Sequence, residues 1–144
     1  MFSNMLSRWP SGVILVCTVL SYGCPSMCGN REIARVTSPG GRLDAVLFER
    51  SCGATTGFST QVAVVPVGKA LADVGGNVFV ADDDDGKAPV AGWGGPPAPI
   101  EWRDGQSLIV HYARESRVFE QARALQVKTG WFARANVSVE FIAE

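Results

Sequence analysis

Side-chain hydroxyls are concentrated in one short stretch, residues 53–60, which reads GATTGFST. Hydrolysis by a covalent route needs a nucleophile, a base and a group that orients the base, and Thr55, Thr56 or Ser59 could supply the nucleophile. The only histidine, His111, alternates with apolar residues as a surface residue of a strand does. We therefore expect no catalytic residues and no enzyme. A hydrolase that uses the hydroxyl residues of the 53–60 loop is the alternative.

The same loop is the best candidate for recognition, because it combines small, flexible residues with one large apolar group. A second aromatic residue lies among the glycines and prolines of 92–97. Binding surfaces join aromatic anchors to adaptable polar groups, and a few anchors supply most of the energy. The alternative is a tight crossing where only small residues fit, with the second aromatic capping the core. The candidate contact residues are Thr55, Thr56, Phe58, Ser59 and Trp93.

Four consecutive aspartates, Asp82–Asp85, precede Gly86 and invite comparison with a calcium loop. Calcium needs oxygen ligands at fixed offsets, closed by a bidentate carboxylate. Here that register places Ala81 at a ligand position, and no glutamate closes the loop. A solvated loop tip with mutually repelling charges is the alternative. We expect no metal and no cofactor, although weak cation binding by this run stays open.

The first 23 residues have the layout of a signal peptide. One positive charge, Arg8, precedes a short apolar run, Val13–Leu20, which ends in small residues. The run is shorter than the roughly 20 apolar residues that cross a bilayer. A buried first strand or helix is the alternative. We expect residues 1–23 to be removed and residues 24–31 to form a tether.

Removal of that segment would make Cys24 the first residue of the mature protein. The arrangement resembles a bacterial lipoprotein signal, which implies acylation of Cys24 and a lipid anchor on a membrane surface. Cys17 would leave with the signal. Cys28 and Cys52 would then remain, and in an oxidising compartment they predict one disulfide. Ordinary secretion with a free N-terminus is the alternative.

Composition and charge indicate one folded domain, expected at residues 32–144. The chain has 144 residues, 47% of them hydrophobic and 19% charged, which argues against disorder. Its net charge is −1, and no cluster of Lys or Arg is visible along the sequence. Nucleic acid is therefore not an expected partner.

Alternating apolar residues and turn signals predict a mainly β fold, a small antiparallel sheet or sandwich of six to eight strands. Ala45–Phe48 is apolar on both faces, which indicates a central strand. Asp104-Gly105 predicts a hairpin turn. Residues 115–127 fit helix or strand, and their neighbours favour strand. The other predicted strands are 32–36, 42–50, 61–65, 77–81 and 136–142, with a long loop at 82–99.

Four distinctive segments lie between Cys28 and Asp82: TSPGGR at 37–42, AVLFER at 45–50, CGATTGFSTQV at 52–62 and GNVFVAD at 76–82. On these segments the chain resembles a group of small, uncharacterised exported bacterial proteins, some of them lipoproteins. The resemblance implies export and a single domain, and it implies no chemistry.

These features together predict a non-enzymatic protein of the periplasm or cell envelope that acts as a binding or structural module. Its expected partners are an envelope protein or a wall component. The expected contact with a membrane surface is through the lipid on Cys24.

Overall fold

A computed structural model describes residues 28–53 and 55–144, so the predicted signal and most of the tether lie outside it. This part of the chain contains nine strands, one more than the six to eight expected, and no helix, which confirms the mainly β fold. No helix capable of spanning a membrane occurs in it. The strands are β1 Gly29–Thr37, β2 Leu43–Ser51, β3 Ser59–Pro66, β4 Phe79–Asp82, β5 Ile100–Trp102, β6 Ser107–Tyr112, β7 Arg117–Gln121, β8 Ala124–Lys128 and β9 Arg134–Ala143.

The strands form two sheets with one core between them. The five-stranded sheet has the order β1-β2-β3-β4-β7, and the four-stranded sheet has the order β5-β6-β9-β8. Alternate residues of each central strand point into the core, as the period of two in a strand requires. The core includes Leu43, Ala45, Leu47, Val62, Val64, Phe79, Leu108, Val110, Val137 and Val139.

Three features differ from the sequence prediction or decide between its alternatives. β1 begins at Gly29, so residues 29–31 belong to the sheet instead of the tether. The ambiguous segment 115–127 forms strands β7 and β8, which confirms the preference for strand. β6 and β9 are parallel, whereas an antiparallel sheet was expected. The reason is that the chain leaves β6 for the other sheet and returns through β8, which places β9 beside β6 in the same direction.

The five-stranded sheet also carries apolar residues on its outer face. Val46, Phe48 and Ala63 form a second buried cluster, with Leu71 packed against it. The segment 67–76, here called the strap, brings Leu71 to this face. This second apolar layer explains why β2 is apolar on both sides.

A buried carboxylate ties the strap to the sheet. Asp44 is 2% exposed and accepts hydrogen bonds from Arg35 Nη1 at 2.9 Å, Thr37 Oγ1 at 2.8 Å and the Gly68 amide at 2.9 Å. Burial alone raises the pKa of the Asp44 carboxyl, but the three hydrogen bonds outweigh it and lower that pKa. Asn30 adds side-chain hydrogen bonds to two strap carbonyls.

Substitution Asp44→Asn should destabilise the domain by about 2 kcal/mol, because it removes the charged acceptor of three hydrogen bonds, although Glu32 still pairs with Arg35. Since the pKa of Asp44 is lowered on folding, its contribution is present above about pH 4 and is lost as the pH falls through the lowered value. Urea unfolding at pH 7 and pH 3 measures both effects. A variant as stable as the wild type at pH 7 would show that the strap does not depend on this carboxylate.

The predicted disulfide between Cys28 and Cys52 is present, which confirms that prediction. It lies directly beyond Gly29↔Ser51, the last paired residues of the β1–β2 ladder. We call this end of the sandwich the disulfide end. The bond joins two cysteines 24 residues apart and therefore restricts the unfolded chain.

Replacing both cysteines, in the variant Cys28→Ser/Cys52→Ser, should lower the free energy of unfolding by roughly 3 kcal/mol, the loop-closure entropy for this separation. Chemical denaturation of the variant and of the oxidised wild type gives the difference. If the two denaturation midpoints coincide, the bond does not stabilise the fold.

Candidate functional site

The two loops that the sequence singles out meet at the disulfide end. Phe58 is 43% exposed, and its ring lies against the backbone of Gly94. Gly94 has φ of +97°, and a β-carbon there would lie 2.6 Å from the Phe58 ring. Phe58 is therefore partly a surface residue and partly a packing residue.

Trp93 points inward at this same end. It is half-buried and packs against the core, and its Nε1 donates to Thr60 Oγ1 at 3.1 Å. The Thr60 hydroxyl in turn donates to the Pro96 carbonyl at 2.6 Å. These contacts match the alternative in which Trp93 caps an open end of the core. Its contact with a partner stays a prediction, and only part of its side chain is accessible for it.

The hydroxyl residues of the loop are mostly engaged within the loop and its neighbours. Ser59 Oγ donates to the Arg50 carbonyl at 3.2 Å and accepts from Gln61 Nε2 at 2.8 Å. Thr56 Oγ1 donates to the Gly53 carbonyl at 3.2 Å, whereas Thr55 is exposed. These bonds hold the loop in place.

His111 lies on β6, in the other sheet. Its Nδ1 is 2.7 Å from Glu144 Oε1, and its Nε2 is 3.4 Å from Glu101 Oε1. Hydrogen bonding to Glu144 raises the pKa of His111, against an opposing effect of burial, and Glu101 adds to the rise. Both ring nitrogens therefore face carboxylates. In the 53–60 loop, the hydroxyls of Thr56, Ser59 and Thr60 donate to backbone carbonyls. Among the described residues, His111 therefore makes no hydrogen bond to a hydroxyl of this loop.

The raised pKa of His111 predicts a pH-dependent stability. The ion pairs stabilise the fold fully below the ordinary pKa of 6.5, and this contribution is lost as the pH rises through the raised value. The wild type should thus lose more stability between pH 6 and pH 8.5 than the variant His111→Gln. Thermal melting across this range tests it. Parallel pH profiles for the two proteins would exclude the effect.

The aspartate run is bound by the protein's own cations. Arg117 Nη2 lies 2.5 Å from Asp82, and Lys87 Nζ lies 2.6 Å from Asp84. Asp84 and Asp85 both have positive φ, at 49° and 59°, which makes the run a tight turn. Within residues 28–53 and 55–144, no three His, Cys, Asp or Glu residues are placed to hold a metal ion.

Within the described part of the chain, the most exposed aromatic pair is one that the sequence analysis did not single out. Trp131 is 90% exposed and Phe132 is 100% exposed. They lie between β8 and β9, in a turn closed by a 3.0 Å hydrogen bond from the Thr129 amide to the Ala133 carbonyl. We call residues 129–133 the tip.

Two cations stand at the base of the tip. Lys128 and Arg134 are paired residues of the β8–β9 ladder, so their side chains share one face of the hairpin. Both are exposed, and neither has an ion-pair partner in the described part of the chain. Arg134 Nη1 reaches only the neutral Gln126, at 3.4 Å.

Strand directions place the tip at the end of the sandwich opposite the disulfide. Trp102 Nε1, at the end of β5, donates to the Val36 carbonyl near the end of β1, so β6 starts where β1 finishes. β9 is parallel to β6, with Ser138 beside Ser107. The residues before Ser138 therefore extend away from the disulfide end, and the tip lies beyond them.

Sequence reasoning missed the tip because it followed strand alternation and treated this segment as a connection. The available signal was two adjacent aromatics after Gly130, within a stretch, 121–139, that has three cations and no acidic residue. That the side chains of Lys128 and Arg134 lie opposite each other follows only from the register of the β8–β9 hairpin.

Comparison with protein families, with curated proteins and with solved structures gave no match for this chain. The resemblance to small exported bacterial proteins accordingly stays an expectation.

Proposed function

We propose that this chain is an exported, membrane-tethered, non-enzymatic binding module of the cell envelope, and that the tip is its contact surface. The observation that carries the proposal is the nearly complete exposure of Trp131 and Phe132 on a closed hairpin. Aromatic side chains supply large contact area with few rotatable bonds. The tip thus offers binding energy at low ordering cost.

The proposed tether and the tip lie at opposite ends of the domain. Acylated Cys24 would be four residues from Cys28, a span of at most about 14 Å. Strands of nine or ten residues extend about 30 Å. A module held at the disulfide end would therefore direct its tip away from the anchoring membrane.

A binding role also agrees with the state of the candidate catalytic groups. Ser59 is bonded to backbone and amide groups, and His111 to two carboxylates. Phe58, at the disulfide end, is less exposed than the tip aromatics and packs against Gly94.

A photoreactive residue in place of Ala133 should form crosslinks to a partner in the native envelope. The yield should fall about tenfold in Trp131→Ser/Phe132→Ser, because a few aromatic anchors supply most of a contact's energy. Mass spectrometry of the adducts, protein or lipid, measures the yield.

The matched control is Phe58→Ala, which removes an exposed aromatic at the other end and should leave the yield unchanged. Thermal melting of each variant checks the fold. Crosslinking that survives loss of both tip aromatics, or that fails in Phe58→Ala while the fold persists, would contradict the tip as the contact surface.

A further inference from the structure

Within residues 28–53 and 55–144, no neighbouring segment covers the apolar groups of the tip. Phe132 is 100% exposed and Trp131 is 90% exposed, so almost none of either side chain packs on the domain. The surrounding surface forms shallow depressions lined by residues 128–134. Two protruding apolar side chains of this kind can insert into a fluid, deformable phase more readily than they can dock on a rigid surface.

The chain segment that carries the tip has charged residues of one sign only. Residues 121–139 contain Arg123, Lys128 and Arg134 and no acidic residue, although the whole chain has a net charge of −1. Several cations elsewhere are matched, as in Arg103 with Glu140 and Arg117 with Asp82. Lys128 and Arg134 therefore place two positive charges at the base of the tip, without an ion-pair partner among the described residues.

Lys128 and Arg134 face each other across the hairpin, where like charges repel. Their repulsion is relieved when an anion lies between or above them. The aromatic pair and the cation pair are two or three positions apart in the chain, so a single surface can engage both. That surface must be apolar at a depth of a few ångströms and negatively charged at its boundary.

We propose that the tip inserts Trp131 and Phe132 into the interface of a bilayer that contains anionic lipid, with Lys128 and Arg134 bound to the headgroup phosphates. Tryptophan favours the headgroup level of membranes, and basic residues are attracted to anionic leaflets. The inference rests on the proposed function, since it names what the tip binds. With the tether at the disulfide end, this bilayer would lie opposite the anchoring one.

Trp131 emission provides a test that is independent of residues 1–27. The full chain and its Trp131→Phe variant are mixed with vesicles of phosphatidylcholine, with or without 30% phosphatidylglycerol, whose acyl chains are brominated. The difference between the two emission spectra reports residue 131 alone. We expect this difference to shift to shorter wavelength and to be quenched by at least about half in the anionic vesicles, as for an indole at the headgroup level.

A matched pair of charge variants tests the headgroup contact. Lys128→Gln should weaken partition to the anionic vesicles about fivefold, the effect expected for one basic residue near such a surface. Arg114→Gln removes the same charge at the disulfide end and should have no such effect. Equal melting temperatures establish that both variants are folded.

Absence of quenching at residue 131 in anionic vesicles would overturn the inference, even if the protein is bound to them by another segment. Equal quenching in neutral vesicles, or equal effects of the two charge variants, would overturn the requirement for anionic lipid. If residue 131 is not quenched but the tip still crosslinks to a protein, the lipid is rejected as the partner and the proposed function stands. If residue 131 is not quenched and crosslinking does not depend on the tip, both proposals are rejected.

Discussion

The buried carboxylate of Asp44 is the constraint on which the outer half of the structure depends. A carboxylate removed from water is strongly unfavourable unless several donors replace its hydration. Here the donors come from two separate segments, with Arg35 and Thr37 on β1 and Gly68 on the strap. The charge of Asp44 is therefore satisfied only when the edge strand, the central strand and the strap are all in position.

That requirement makes the apolar outer face of the sheet possible. Phe48 is fully buried, although it points away from the main core. Leu71 packs against its cluster because the strap is fixed beside Asp44. Without the strap, β2 and β3 would expose apolar side chains across an open sheet face, which favours association with other chains. The Asp44 anchor, the Asn30 hydrogen bonds and Leu71 thus cover the outer face of the five-stranded sheet as well as its inner one.

The sequence predicted most strands because their alternation and turns are local signals. Examples are the hairpin at Asp104-Gly105 and the strand around Val46, which is apolar on both faces. The pairing of Cys28 with Cys52 followed from the number of cysteines left in the mature chain. The parallel pairing of β6 with β9 could not be predicted, since it depends on a route through the other sheet. The packing of the strap on the sheet could not be predicted from the sequence either, because the hydrogen-bond partners of Asp44 lie 7 to 24 residues away along the chain.

The tip differs from the buried aromatic residues of the domain in contributing little to the core. Phe48 and Phe79 are fully buried, and Trp93 bonds to Thr60. Trp131 and Phe132 are almost free of the domain, so the core gains little from them, and in water they favour nonspecific association. The hairpin that carries them is held by Val127, Ala135 and Val137, which lie in the core just below the cations. Folding therefore fixes the hairpin while leaving its tip available, which is the arrangement a contact surface needs.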